Sequence, residues 1–139
     1  MFGLADFNNT SITLPKTLVY GKQMFVASDG LGFDVIGLEN TKLVDGSNMF
    51  EMANVKHITG LPDTLENGDS MFETYGSSIY PKMEAQTISA LPSNLKSANS
   101  MFSYQNNLSG SVTMPSGLTK CRNIFSSTSI TKSGSWTCS

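Results

Sequence analysis

The stretch LPSNLKSANSMF, Leu91 to Phe102, decides the fold of this chain, because related stretches recur along the whole sequence. Each shows apolar residues at the same offsets, a small residue near the middle, and Met-Phe or Ile-Phe at its end. The relatives are LPKTLVYGKQMF (14–25), LENTKLVDGSNMF (38–50), LPDTLENGDSMF (61–72) and MPSGLTKCRNIF (114–125). The second of these carries one extra residue and has Glu39 in place of Pro. The chain is therefore built from internal repeats.

The spacing of these repeats predicts the kind of fold. The Met or Ile of the closing pair stands at positions 1, 24, 49, 71, 101 and 124, so successive spacings are 23, 25, 22, 30 and 23 residues. A period in the low twenties is typical of solenoids made of short β-containing coils, whereas helical repeats are longer. No amphipathic helical pattern extends beyond about two turns. We therefore expect a β-rich solenoid of about five to six coils over residues 1–130, with residues 131–139 as a C-terminal cap or tail.

A short β-branched stretch precedes each Leu-Pro position and predicts one strand per coil, stacked into a parallel sheet. One residue of each strand is expected to face the core: Ile12, Ile36, Ile58, Ile88 and Val112. Their neighbours are then expected to face solvent: Ser11, Thr13, Gly37, Thr59, Ser89, Ser111 and Thr113. Such a face of small hydroxyls is either a carbohydrate- or protein-binding surface or simply the soluble side of a sheet.

Each repeat has a constant half, the stretch from the Leu-Pro position to the Met-Phe or Ile-Phe pair, and this half predicts the core. Leucines recur at two offsets, and small residues form a third ladder where closely stacked coils leave no room for larger side chains. This small-residue ladder comprises Gly21, Gly46, Gly68, Ala98 and Cys121. Because these residues are needed for packing, function is expected in the variable half of each coil, which is the segment that follows the Met-Phe or Ile-Phe pair.

The order strand, Leu-Pro-x-x-Leu, small residue, Met-Phe and polar turn resembles the leucine-rich repeats of the BspA-like, Treponema pallidum type. The resemblance covers about residues 1–130, although unit lengths are irregular and the Cys or Asn that often follows the aromatic position is mostly missing. It implies a right-handed stack of coils, with one short parallel strand per repeat of 22–25 residues and little or no long helix. It also implies binding of macromolecules or glycans without catalysis, as in bacterial surface proteins and some phage proteins.

Composition excludes several functional classes. The net charge is −2 and only 14% of residues are charged, so the chain lacks the clustered Lys and Arg that neutralise a nucleic-acid backbone. No apolar run is long enough to span a membrane. The acidic residues do not recur at one repeat offset, as a row of calcium sites would require. We therefore expect no nucleic-acid partner, no membrane insertion, no metal and no cofactor.

The single histidine, His57, is the first residue to consider for catalysis. A catalytic base needs an orienting carboxylate and a nucleophile, and a metal ligand needs partners of its own kind. The neighbouring coils offer Val35 and Thr87 at comparable positions, which supply neither. His57 is therefore expected to be an ordinary surface histidine, and the chain is not expected to be an enzyme.

The strongest functional candidate lies in the 21 residues between Met71 and Pro92, the longest variable segment. Its insertion near 76–82 contains Ser78, Tyr80 and Lys82, with Tyr75 alongside. Tyrosine is favoured at recognition surfaces because it combines a large rigid ring with a hydroxyl. The alternative is a tolerated insertion whose tyrosines pack on the coil beneath. Together with Thr13, Thr59, Ser89 and Thr113 of the strand face, these four residues are the predicted binding residues.

The ends of the solenoid carry three further expectations. Cys121 is expected to be a buried inert thiol rather than to form a bridge to Cys138, because it occupies a small-residue position. Trp136 is expected to cover the C-terminal end of the core. No capping segment is visible before the first coil, so either more chain precedes it or another subunit covers that edge.

These patterns predict a non-enzymatic binding or adhesion module of a surface-exposed repeat protein, with a protein or glycan ligand. The expected location is extracellular or at the cell surface. One alternative is a phage virion component, such as a tail or head appendage that reads a receptor or acts as a spacer, in which case the location is the virion. Another is an accessory domain of a larger extracellular enzyme.

Overall fold

The computed structural model describes residues 6–136 and residue 138, and it is a β-solenoid, which confirms the predicted fold class. In this part of the chain the extended elements are six strands and the only helical element is a 3-10 turn. They are β1 (Asp6–Thr13), β2 (Asp29–Ile36), the turn Leu38–Asn40, β3 (Val55–Ile58), β4 (Gln86–Thr87), β5 (Leu108–Thr113) and β6 (Ser129–Ser133). Each strand precedes the constant half of a repeat or ends the last one, and β6 extends three residues past residue 130.

The strands are parallel, but they form two sheets rather than one. The order is β1-β2-β3 in the first sheet and β4-β5-β6 in the second. Between β3 and β4, the Gln86 side chain takes over part of the role of a strand backbone. Its amide oxygen accepts the Ile58 N–H at 3.3 Å, and its nitrogen donates to the Lys56 carbonyl at 3.0 Å. The longest repeat therefore interrupts the sheet, and a side-chain amide bridges the interruption.

The constant half of each coil is held by backbone hydrogen bonds to the next coil. The N–H of the Phe in one coil donates to the carbonyl of the Met or Ile in the next, as in Phe72 to Met101 at 2.8 Å and Phe102 to Ile124 at 2.9 Å. The residue just before each Met or Ile has a left-handed φ of 53° to 57°: Gln23, Asn48, Ser70, Ser100 and Asn123. A non-glycine residue in this region costs about 1 kcal/mol or more. Inter-coil hydrogen bonds offset that cost at Gln23, Asn48, Ser70 and Ser100, whose N–H groups each donate to a carbonyl of the next coil.

The core consists of the predicted ladders. The ring centroids of Phe25, Phe50, Phe72 and Phe102 are stacked at successive distances of 5.3 Å, and Phe125 follows at 5.9 Å. Leu43, Met49, Leu65, Met71, Leu95 and Met101 are fully buried. The small-residue ladder is buried as well, because each of its glycines contacts the thioether of the next coil: Gly21 with Met49, Gly46 with Met71, and Gly68 with Met101.

One inward-facing residue was predicted incorrectly. Ile36 is 40% exposed, whereas Val35 is 1% exposed and takes the core position of β2. The strand register explains the difference, since Val35 pairs with Ile12 on one side and Ile58 on the other. Gly37, with φ at 79°, adds a residue between this strand and Leu38. The other four residues, Ile12, Ile58, Ile88 and Val112, are buried or packed against the core.

The C-terminal end is closed by a disulfide, which overturns the expectation of an inert thiol at Cys121. Cys121 and Cys138 are bonded, with their Cα atoms 5.4 Å apart. Cys121 does fill the small-residue position, but the tail returns over the last coil and brings Cys138 against the core. Trp136 is not the cap that the sequence indicated: it is 40% exposed and lies beneath Lys132, whose Nζ is 5.0 Å from the ring centroid.

Within residues 6–136 and 138, no helix has the length and hydropathy that a membrane span needs.

Candidate functional site

The insertion predicted as a binding loop is closed by its own hydrogen bonds over residues 74–82. Its base is fastened by the Thr74 hydroxyl, which donates to the Pro81 carbonyl at 2.8 Å. The Lys82 ammonium lies against the loop and donates to the carbonyls of Tyr75, Ser77 and Tyr80, at 2.9, 3.0 and 3.4 Å. A lysine ammonium has three N–H donors, so these contacts use all of them. Lys82 is therefore an internal organiser of the loop rather than a free cation.

We use the name loop patch for four side chains on and beside the loop: the exposed Tyr75, Ile79 and Tyr104 and the half-buried Tyr80. Tyr75 is 42% exposed, Ile79 80% and Tyr104 38%. The rings of Tyr75 and Tyr80 meet edge to face, with centroids 5.2 Å apart. Tyr104 comes from the next coil and lies beside Gly76, where an added Cβ would be 3.2 Å from Cε1 of the tyrosine. The structure thus brings together Tyr75 and Tyr80 of the predicted binding residues.

Ile79 and Tyr104 of this patch were not among the predicted binding residues. Tyr104 occupies the third position after the Met of its repeat, where other coils carry Ala27, Met52 and Ser127, all with left-handed φ. A comparison of that single position across repeats would have marked Tyr104 as the unusual member. Ile79 could have been noticed as an apolar residue in an otherwise polar insertion.

Side-chain amides of the following coil anchor the return of the loop. The buried Gln105 accepts the Met83 N–H through its oxygen at 2.8 Å and donates through its nitrogen to the Phe72 carbonyl at 2.7 Å. Asn107 donates to the Met83 carbonyl at 3.0 Å. These contacts fix both ends of the insertion to the rigid coils, so the loop patch is presented on a preformed support.

The remaining predicted binding residues are exposed but do not form one site. Ser78 lies in the loop, and Thr13, Thr59, Ser89 and Thr113 lie on or just after the strands of different coils. Ile36 pairs with Thr13 and interrupts the row of hydroxyls. The Thr59 hydroxyl already donates to the Glu39 carboxylate and accepts the Gly37 N–H. The strand face is therefore a less continuous polar surface than the sequence indicated.

His57 has carboxylate neighbours that the sequence did not predict. Its Nδ1 is 2.9 Å from Asp34 Oδ1, and its Nε2 is 3.2 Å from Glu84 Oε2. Lys56 Nζ also contacts Glu84, at 3.4 Å. The expectation that Val35 and Thr87 flank this histidine was wrong, because the strand register places Asp34 beside it and the chain returning from the insertion brings Glu84.

The ring nitrogens of His57 are both used within this cluster. Both ring nitrogens face carboxylates, so neither is directed at a hydroxyl or thiol that could act as nucleophile. The cleft around it has a volume of about 410 Å³ and is lined by Thr10, Ser11, Phe33, Asp34, Lys56, His57 and Glu84. Across residues 6–136 and 138, no group of three His, Cys, Asp or Glu side chains is placed to hold a metal ion. The cluster joins three coils at the surface through the two carboxylate contacts of His57 and the Lys56–Glu84 ion pair.

Comparisons with protein-family models, curated proteins and solved structures found no match to this chain. The resemblance to BspA-like repeats therefore stays a prediction from the sequence.

Proposed function

We propose that this chain is a non-enzymatic binding module that recognises a protein or glycan partner through the loop patch. The observation that carries this proposal is the exposure of Tyr75 and Ile79 on the loop and of Tyr104 beside it. The loop is held in shape by hydrogen bonds from the Lys82 ammonium to three of its backbone carbonyls. Exposed aromatic and aliphatic side chains on a rigid support bind with little loss of conformational entropy.

The disulfide supports an extracellular or cell-surface location for this function. Disulfides persist in oxidising environments and are rare in reducing ones. The Cys121–Cys138 bond fastens the tail to the last coil, so an oxidising environment preserves this end of the structure. Adhesion at a bacterial surface is the role that agrees both with the disulfide and with the resemblance of the repeats to the BspA-like type.

A second candidate function is assembly within a larger particle, such as a phage virion. The observation that favours it lies at the first coil, where Leu18 and Met24 are only partly buried while their ladder partners Leu43 and Met49 are fully buried. A surface that continues the core ladders is suited to stack against another subunit. Self-association through this end is the corresponding partner prediction, and sedimentation of Met24→Lys against the unchanged protein over a concentration series tests it.

The loop-patch proposal is tested by binding assays on a glycan array and on a displayed peptide and protein library. The test variant is Tyr75→Ser combined with Ile79→Ser, and the control is Tyr20→Ser, which removes a 71% exposed tyrosine from another coil. We expect binding to fall at least about tenfold in the double variant and to remain in the control. Equal binding by all three proteins would overturn the loop patch as the recognition surface.

A further inference from the structure

A second opening lies where the sheet is interrupted, and we call it the strand slot. It is a cleft of about 210 Å³ whose two sides are residues 58–63 and 86–92. At one end the sides are joined by the Glu84 N–H, which donates to the Lys56 carbonyl at 3.0 Å. At the other end the Asn94 side chain donates to the Asp63 carbonyl at 2.7 Å. The strand slot is therefore bounded along its length and open to solvent between these two bridges.

The two sides of the strand slot carry backbone groups that the rest of the solenoid pairs. Between β5 and β6 the ladder runs on to Thr113 and Ser133, and the Met114 N–H then donates to the Ser133 carbonyl at 3.1 Å. Among the described residues, no backbone hydrogen bond involves 59–61 or 89–91. Gln86 and Asn94 bridge through side chains instead, which leaves this length of the ladder open. Residues 59–61 and 89–91, which follow the ends of β3 and β4, thus have N–H and C=O groups without a backbone partner on both sides of the strand slot.

We infer that the strand slot binds a short extended peptide segment carrying a basic side chain. Open strand edges are completed by extended peptides, whose own N–H and C=O groups supply the missing partners. The only charged lining residue is Asp63, which favours a Lys or Arg on the ligand. The lining contains no aromatic ring on which a sugar could stack and no cation that would bind a phosphate.

The dimensions limit the ligand to a few residues. An extended chain presents its N–H and C=O groups at intervals of about 3.3 Å per residue, so the three open residues on each side, 59–61 and 89–91, match a ligand of about three to four residues. Side chains that point inward would contact Leu61 and Ile88, while those pointing outward remain in solvent. A tetrapeptide with alternating β-branched residues and one lysine therefore matches the strand slot.

The probe is the acetylated and amidated tetrapeptide Thr-Lys-Val-Thr, titrated into the isotope-labelled protein and followed by the backbone amide NMR shifts. We expect the shifts to concentrate at residues 59–61 and 89–91. Replacing lysine by glutamate in the peptide should weaken binding several-fold, and Asp63→Asn should remove that preference. N-methylation of the peptide backbone should weaken binding at least about tenfold, because it removes donors while keeping the side chains.

Ser89→Tyr fills the strand slot, and Ser111→Tyr is its matched control. Ser89 lies two residues after Thr87 and Ser111 two residues after Ser109, and Thr87 pairs with Ser109. Ser111 differs from Ser89 because its other side is closed by pairing with Thr131 of β6. We expect Ser89→Tyr to abolish the peptide shifts and Ser111→Tyr to leave them, with both proteins showing unchanged thermal unfolding.

Equal binding of the N-methylated peptide, or shifts outside the strand slot, would overturn the inference. Slot shifts produced by a trisaccharide of N-acetylglucosamine, and not by the peptide, would replace it with a glycan site. The Tyr75→Ser and Ile79→Ser variant should bind the tetrapeptide as the unchanged protein does. The experiment can therefore refute the strand-slot inference without refuting the loop-patch proposal, and the reverse.

Discussion

Gly68 lies directly against the thioether of Met101 in the next coil, so that a Cβ added at residue 68 would be 2.9 Å from Sδ. We expect Gly68→Ala to lower the free energy of unfolding by about 1–3 kcal/mol, because Met101 is fully buried and its thioether would have to shift within a packed core. Urea unfolding measures the change. Gly117→Ala is the control, since an added Cβ there meets no atom within 4 Å.

The chain itself indicates how this loss can be reversed. In the last pair of coils, alanine occupies the small-residue position at Ala98, and Ile124 replaces methionine in the following coil. We therefore expect Met101→Ile to recover at least about 0.5 kcal/mol in the background of Gly68→Ala, measured as a double-mutant coupling energy. If the unfolding free-energy changes of Gly68→Ala and Met101→Ile simply add, the contact with methionine is not the reason for a glycine at position 68.

Gln105 is predicted to hold the loop patch in place. Gln105→Leu leaves the Met83 N–H and the Phe72 carbonyl without their present partner, at a cost of about 1–3 kcal/mol for each group. Urea unfolding should show this loss, and amide hydrogen exchange should become faster over residues 74–82. Asn106→Leu changes an exposed neighbour and should leave both measurements unchanged; faster exchange in that variant as well would argue against a specific anchor.

The disulfide is predicted to contribute substantially to stability. The sequence separation of Cys121 and Cys138 is 17, and closing a loop of this size stabilises a protein by about 3 kcal/mol in the chain-entropy description. Cys138→Ser should lower the free energy of unfolding by about 2–4 kcal/mol. Dithiothreitol should reduce the stability of the unchanged protein to the same level and have no effect on the variant. Two reactive thiols in the native oxidised protein would contradict the bond.

Trp136 is predicted to matter much less than a core aromatic residue. Because it is 40% exposed and contacts Lys132, Trp136→Ala should change stability by no more than about 1 kcal/mol. Phe72→Ala, in the middle of the stacked rings, should cost about 3–5 kcal/mol. Thermal and urea unfolding of both variants test the contrast, and a loss above about 2 kcal/mol for Trp136→Ala would show that it closes the core after all.

The repeated half of each coil could be predicted because the same contact recurs at the same offset. Residue 46, for example, is a glycine because the thioether of Met71 in the next coil lies against it. The same glycine–methionine contact recurs in the neighbouring coils, so it appears as a repeat in the sequence. Strand register was harder to predict, since a shift of one residue exchanges Val35 for Ile36 on the core face. Val35 stands three residues before Leu38 just as Ile58 stands three residues before Leu61, so a comparison of these two repeats would have placed Val35 on the core face.

Features that depend on the path of the chain between repeats could not be predicted. Glu84 reaches His57 only because the insertion returns where it does, and Cys138 reaches Cys121 only because the tail turns back over the last coil. Lys82 was predicted as a binding residue of the loop, but the sequence does not show that its ammonium is used by the loop's own carbonyls. Such contacts have no periodicity to reveal them.

The interruption of the sheet has a mechanical consequence. The column of stacked phenylalanines continues from Phe25 to Phe125, whereas the hydrogen-bonded strands stop at β3 and begin again at β4. Stiffness therefore differs between the two sides of the solenoid, and bending should concentrate between the third and fourth coils as a hinge. A ligand that completes the sheet at this point would therefore restrict bending between the third and fourth coils.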